Sequence, residues 1–355
     1  MNKPIQLTAE RAWRTYLGGS EIDRLHGNES GEDNHFPEEW IMSITSCRNA
    51  GREHIVNEGM SRVKGSHPEV FLKDIIERDP EATLGEGHYA KFGKTTGVLV
   101  KIIDSAERLS IQVHPNKRTA KEYFASDYGK TESWHILGGR TVNGEPPCIY
   151  LGFKEGVTKD RWKRVFDEQN IPEMLDCLNK IEVKAGDTFL IKGGVPHAIG
   201  AGCFLIEVQE PTDYTVRTER TTPSGFRIAD VMCHQGIGFD KMFEIFDYEG
   251  CDLAETLEKY KLKSKTVGNE QVHIDYNDTD CFSLTEVKVN DTYTFVPEDT
   301  YFGIYVTEGH GSLVSVDGEV VRLYPTAQFF VPAGAGFKVR AEKPLKIMKF
   351  RGPKI

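Results

Sequence analysis

A chain of 355 residues, 39% hydrophobic and 28% charged, has the material for two domains of ordinary size or one large domain with additions. Its 44 Lys and Arg against 54 Asp and Glu give a formal net charge of −10, which argues against a general binder of nucleic-acid phosphates or anionic membranes, so any bound anion must be held locally. No apolar run approaches the roughly 20 residues of a membrane helix, and the polar opening MNKPIQLTAERAW has no apolar signal core; a cytoplasmic chain with no membrane or nucleic-acid partner is expected.

Helical spacing of apolar residues falls at 8–17, at 69–78 and, longest, at 159–180, where Trp162, Val165, Phe166, Ile171, Met174, Leu175 and Leu178 recur every three or four residues. Elsewhere, 34 Gly, 19 Phe and 13 Tyr accompany short apolar runs bounded by Gly, Asn, Asp and Pro, the pattern of strands and turns. The long helical segment therefore reads as an insertion of about 155–180 between strand blocks. After a helix near 239–246, a polar stretch at 253–271 leads into a last block of strands, and a boundary is expected near residue 250. Seven scattered cysteines (Cys47, Cys148, Cys177, Cys203, Cys233, Cys251, Cys281) never fall as C-x-x-C; reduced, mostly buried thiols are expected rather than a disulfide framework or a thiolate metal site.

The segment 109–114 alternates, with Leu109, Ile111 and Val113 on one strand face and Ser110, Gln112 and His114 on the other. Eighteen residues beyond His114 comes Glu132, with Lys130 on the same face in GKTESW, and the two segments read as capable of pairing. His197 ends GDTFLIKGGVPH, where a Gly-Gly turn and a proline fix the backbone before the imidazole. Two imidazoles, a carboxylate and an amide oxygen form a nitrogen and oxygen set suited to zinc or a similar divalent ion. For any other single histidine, an ordinary hydrogen-bonded role is the better reading.

LSIQVHPN (109–116), KTESW (130–134), GDTFLIKGGVPHAIG (186–200) and IEVQEPTDYTVR (206–217) together resemble the type I mannose-6-phosphate isomerases, zinc enzymes of the cupin superfamily. PEEWIMS (37–43) is similar to the family's early Trp-containing segment. The resemblance implies a mainly β protein of two cupin-type jelly rolls: residues 1–250, catalytic and carrying the helical insertion, and 251–355. It implies one zinc per chain on Gln112, His114, Glu132 and His197, and catalytic roles for Lys130, Glu207 and Arg217. It also implies a small sugar phosphate as substrate, mannose 6-phosphate exchanging with fructose 6-phosphate through an enediol; an isomerase of a related phosphorylated or free sugar and a non-catalytic sugar-binding cupin are the alternatives. The plain alternative for Lys130 and Arg217 is an inward charge that only pairs with Glu132 or Glu207, or, for Arg217, with Asp213. Lys192, in place of a usual turn proline, and Thr218–Glu219–Arg220 depart from the family wording and bear on substrate identity. The turns at 192–197 and 332–337 align, which places Phe337 where His197 stands and makes 251–355 an expected metal-free jelly roll, with His310 an ordinary turn residue.

Overall fold

The computed structural model describes residues 3–49 and 51–355. The protein is mainly β, built as three antiparallel sheets of nine, seven and five strands among the described residues. The seven-stranded sheet runs Glu10–Ala12, Glu38–Ile41, Leu99–Asp104, Cys203–Gln209, Glu132–Gly139, Thr188–Ile191 and Lys261–Leu262, read from one edge to the other. The five-stranded sheet places Gln112–Val113 between Val216–Arg217 and His197–Ile199 and continues through Cys148–Phe153 to Leu178–Glu182. The nine-stranded sheet contains the strands from Lys265–Val267 onward and one N-terminal strand, Ile5–Leu7, which pairs with Gln328–Val331. Two strands thus cross the boundary expected near residue 250: Ile5–Leu7 joins the C-terminal sheet and Lys261–Leu262 joins the seven-stranded one. One core cluster joins the two parts, with Val100, Ile102, Ile206 and Val208 packed with Tyr305, Phe330 and Phe350.

Local sequence explains most elements, and tertiary pairing overrides it in a few. No helix forms over 8–17; Glu10–Ala12 pairs with Glu38–Ile41, and the first helix is Ser20–Leu25. Leu7, Ala12, Tyr16 and Leu17 mimic a helical period, but sheet pairing satisfies the backbone here and the extended chain carries Arg14 toward Asp213. Within 69–78 the helix is Leu72–Arg78. The insertion is helical but interrupted: Lys159–Asp167 ends at Gln169, whose φ of 49° is left-handed, and Pro172 sits in the first turn of Ile171–Asp176. Leu178 already belongs to a strand. The helix expected at 239–246 is the short Phe239–Met242. The polar stretch after residue 253 holds a helix, Leu253–Tyr260, started by a capping box of Asp252 and Glu255.

The aligned turns are structural equivalents. Thr188–Ile191 and Gln328–Val331 each lead through a turn to a strand whose first residue is His197 or Phe337. The Phe337 ring stacks on Phe295 at 4.6 Å, deep in an apolar cluster. All seven cysteines are free thiols, five of them buried. Among the described residues no helix is long and apolar enough to cross a membrane.

Candidate active site

The site forms where the five- and seven-stranded sheets face each other. Gln112 stands opposite His197 in the five-stranded sheet and His114 follows the last residue of the Gln112–Val113 strand, whereas Glu132 begins a strand of the seven-stranded sheet, paired with Ile191 and Gln209. The segments 109–114 and 130–134 therefore do not form a ladder as the sequence suggested. A single backbone bond, Lys130 N to Pro115 O at 2.9 Å, ties one to the other, and Gln112 pairs with the strands of His197 and Arg217 instead.

The Gly193-Gly194 turn fixes the position of His197. A Cβ at Gly193 would lie 2.6 Å from the Asn116 backbone, so only glycine lets this turn close on the end of the His114 strand, where Gly194 N donates to His114 O at 2.8 Å. Both imidazoles are then oriented from behind: Nδ1 of His114 meets Tyr214 O, and Nδ1 of His197 meets Val195 O, each at 2.8 Å. A carbonyl partner fixes the tautomer with the proton on Nδ1 and leaves Nε2 with a free lone pair. The two Nε2 atoms stand 3.2 Å apart, and Glu132 reaches both, Oε2 to His114 at 3.1 Å and Oε1 to His197 at 3.3 Å.

The ligand atoms of His114, Glu132 and His197 all lie within 4.8 Å of one another, and all three side chains are buried. Glu132 Oε1 has no hydrogen-bond donor, a costly state for a buried carboxylate unless a cation meets it. Burial lowers the His114 pKa to about 3, with Lys130 adding to the effect, and burial lowers that of His197 as well. Burial alone would raise Glu132, but Lys130 and the two imidazoles hold it well below the ordinary carboxylate range. Neutral imidazoles beside an ionised carboxylate are the protonation states a divalent cation requires of its ligands, so the residues fit a zinc-like ion. Gln112 lines the adjoining pocket, and Lys130 bridges pocket and cluster, with Nζ 2.8 Å from both His114 Nε2 and Glu132 Oε2.

That pocket is lined by charge: Lys130, Glu207 and Arg217 as the sequence suggested, and Arg14, Glu38, Lys101 and Asp213 in addition. Lys130 does pair with Glu132. Arg217 pairs with neither Glu207 nor Asp213; its guanidinium donates to the carbonyls of Thr215 (3.1 Å) and Met232 (3.3 Å). Glu207 meets Lys101 at 2.9 Å and accepts from Trp134 Nε1 at 3.1 Å, while Ile206 and Val208 face the core.

Residues 28–132 match the profile of the type I phosphomannose isomerase catalytic domain. The probable mannose-6-phosphate isomerase GmuF of Bacillus subtilis is 27% identical over 251 residues, covering 69% of this chain and 71% of that protein. ManA of the same organism, a mannose-6-phosphate isomerase, is also 27% identical, over 71% of this chain and 76% of its own length. The chain is thus similar to the type I phosphomannose isomerases, by the catalytic-domain profile over residues 28–132 and by these relatives over about 70% of its length. Solved structures share its fold: the mannose 6-phosphate isomerase of Bacillus subtilis superposes with a TM-score of 0.74 at 20% identity over 98% of this chain and 99% of its own. A zinc-bound mannose 6-phosphate isomerase superposes with a TM-score of 0.74 at 16% identity over 99% of this chain and 100% of that one.

The chain surrounds its pocket with a buried ionic network that spacing did not reveal. Arg14 bridges Glu38 (2.9 Å) and Asp213 (3.0 Å), and Lys101 lies between Glu207 (2.9 Å) and Glu38 (3.7 Å). Burial opposes the charge on Glu38, yet Arg14 and Lys101 hold its pKa at about 2. The same cations keep Asp213 low, and Glu207 and Glu38 raise Lys101, in each case against burial. One signal was visible in the sequence: Lys101 interrupts GVLVKII, and a lysine in an otherwise apolar buried strand needs a partner.

Proposed function

We infer that the chain is a zinc-dependent aldose–ketose isomerase that interconverts mannose 6-phosphate and fructose 6-phosphate. The convergence of His114, Glu132 and His197 beside a charged pocket carries this reading, together with the family. Gln112, His114, Glu132 and His197 would hold one zinc per chain, which when bound supplies positive charge to a sugar oxygen in the pocket.

The chain's own residues do the remaining work. Isomerisation moves a proton between the first and second carbons of an open-chain sugar, and negative charge develops on the adjoining oxygens. Glu207, aimed into the pocket from the centre of a rigid sheet, takes the carbon-bound proton and returns it to the neighbouring carbon. Lys101 and the Trp134 N–H fix the rotamer of that carboxylate. Lys130 and Arg217 place cations at the pocket wall. Because no carboxylate pairs with Arg217, its charge is available to the developing oxyanion, and burial lowers its pKa, as expected of a cation awaiting an anionic partner.

We assign residues 1–250 to the catalytic part and 251–355 to a metal-free packing part, a division that the apolar stacking of Phe337 at the position equivalent to His197 supports. The free cysteines support a reducing, cytoplasmic location. The test is an isomerase assay in deuterium oxide with mannose 6-phosphate. The parent should form fructose 6-phosphate and exchange solvent deuterium into the transferred position. Glu207→Gln should lose both activities by 10²-fold or more while keeping its metal; a Glu207→Gln protein that exchanges normally removes Glu207 from the proton transfer.

A further inference from the structure

Outside the charged pocket lies a second, wider cleft, lined by Ser46, Arg48, Asn49 and Arg52 and sharing Asp213 and Arg217 with the inner pocket. Asp213 and Arg217 border both spaces, so a ligand with its reacting end at Glu207 and Arg217 would have Arg48 and Arg52 on the far side of Arg217. The charges of this cleft do not cancel. Asp213 is already answered by two Arg14 contacts and by the backbone N–H of Arg48 at 3.0 Å. Glu58 accepts from Arg52 at 2.9 Å, and Glu53 accepts from the Gly51 amide at its exposed rim. That leaves Arg217 and Arg48 without a carboxylate among the described residues. Arg48 is exposed, its guanidinium 4.9 Å above the Tyr214 ring, and Arg52 Nε is buried with no acceptor.

A local excess of guanidinium in a chain of net charge −10 is the arrangement expected at a site for a small, doubly charged anion. The Arg48 guanidinium lies over the Tyr214 ring, and its planar fork of donors can bind phosphate oxygens two at a time. We propose that Arg48 and Arg52 form the phosphate subsite of this enzyme, holding the 6-phosphate of the sugar in the outer cleft while the first two carbons lie at Glu207 and Arg217. The proposal rests on the functional reading above and assigns the discrimination between phosphorylated and free sugar to the 46–52 loop.

The experiment compares the zinc-loaded parent with Arg48→Ala, Arg48→Lys and Arg48→Ala/Arg52→Ala, using mannose 6-phosphate and free mannose as substrates and inorganic phosphate as competitor. Arg48→Ala should raise KM for mannose 6-phosphate by 10- to 100-fold with a much smaller change in kcat, and the double variant should raise it further. The preference for phosphorylated over free sugar should fall in proportion, and inorganic phosphate should lose its competition. Arg48→Lys should recover part of the affinity, which a general disturbance of the loop would not allow, and melting temperature and zinc content report any such disturbance directly. A parent inactive on mannose 6-phosphate overturns the functional reading. A parent active on it, with a double variant unchanged in KM and in phosphate inhibition, overturns the subsite alone.

Discussion

Replacing Arg217 by alanine separates a chemical role from a structural one, because the structure gives the two roles different sizes. The guanidinium makes two hydrogen bonds to backbone carbonyls and no ion pair. Losing hydrogen bonds from a charged donor costs about 1.5–3 kcal/mol each in unfavourable cases, but desolvation of Arg217 already opposes its charge, and alanine relieves that penalty. A net loss of about 1–2 kcal/mol is expected, a drop of a few degrees in a chain of this size. Removing a preorganised charge that meets the enediolate costs about 3 kcal/mol of transition-state stabilisation, or roughly 10²-fold in kcat. Turnover, zinc content and melting temperature should be measured on one preparation. The expected protein is folded, metallated and slow, with Arg217→Lys only partly restored because an ammonium lacks the planar fork. A folded, metallated Arg217→Ala enzyme of near-normal rate refutes the role, as does one whose activity falls only with its folded fraction.

Arg14→Met should destabilise the protein by about 3–5 kcal/mol, since it leaves Glu38 and Asp213 as buried carboxylates without their shared cation; chemical denaturation measures this, and a loss under 1 kcal/mol contradicts the network. The rings of His135 and His273 lie 3.8 Å apart, tilted by 35°, and burial lowers their pKa values from 6.5 to about 4 and about 3. Both must be neutral in the folded state, so their contribution is complete above pH 6.5 and is lost as pH falls from there toward 4 and 3. Melting temperature against pH should show that decline, and His273→Gln should flatten it; identical pH profiles would exclude the pair as its source. Phe337→His should create no second metal site and should lower stability by unstacking Phe295, readable as unchanged zinc stoichiometry with a lower melting temperature.

The convergence of His114, Glu132 and His197 was legible because residue type and local spacing both carried the signal. Gln112 and His114 lie two apart on one strand face, and the Gly-Gly turn before His197 has a packing reason against Asn116. Their pairing was not legible, since the two sheets that face each other at the site are assembled from strands far apart in sequence. The ionic network was hidden for the same reason. Glu38, Lys101 and Glu207 come together through the registers Trp40↔Lys101 and Glu207↔Lys101 and through Arg14, carried by a segment whose apolar spacing suggested a helix. That segment is extended because the edge of the seven-stranded sheet pairs with it, a long-range gain that an 11–18-residue window cannot contain. Helix existence was read well at 69–78 and in the insertion, but Gln169 and Pro172 split the latter where the periodicity alone ran on.

The central claim is that one zinc, bound by Gln112, His114, Glu132 and His197, is required for isomerisation of mannose 6-phosphate. It is tested most directly by titrating zinc into chelator-stripped protein while following isomerase rate and bound metal together. The account predicts that activity rises in proportion to zinc and stops at one equivalent per chain, and that His197→Ala, carried through the same titration, neither binds zinc tightly nor gains activity. Full activity in the stripped protein, or a His197→Ala variant that binds zinc and turns over like the parent, contradicts it.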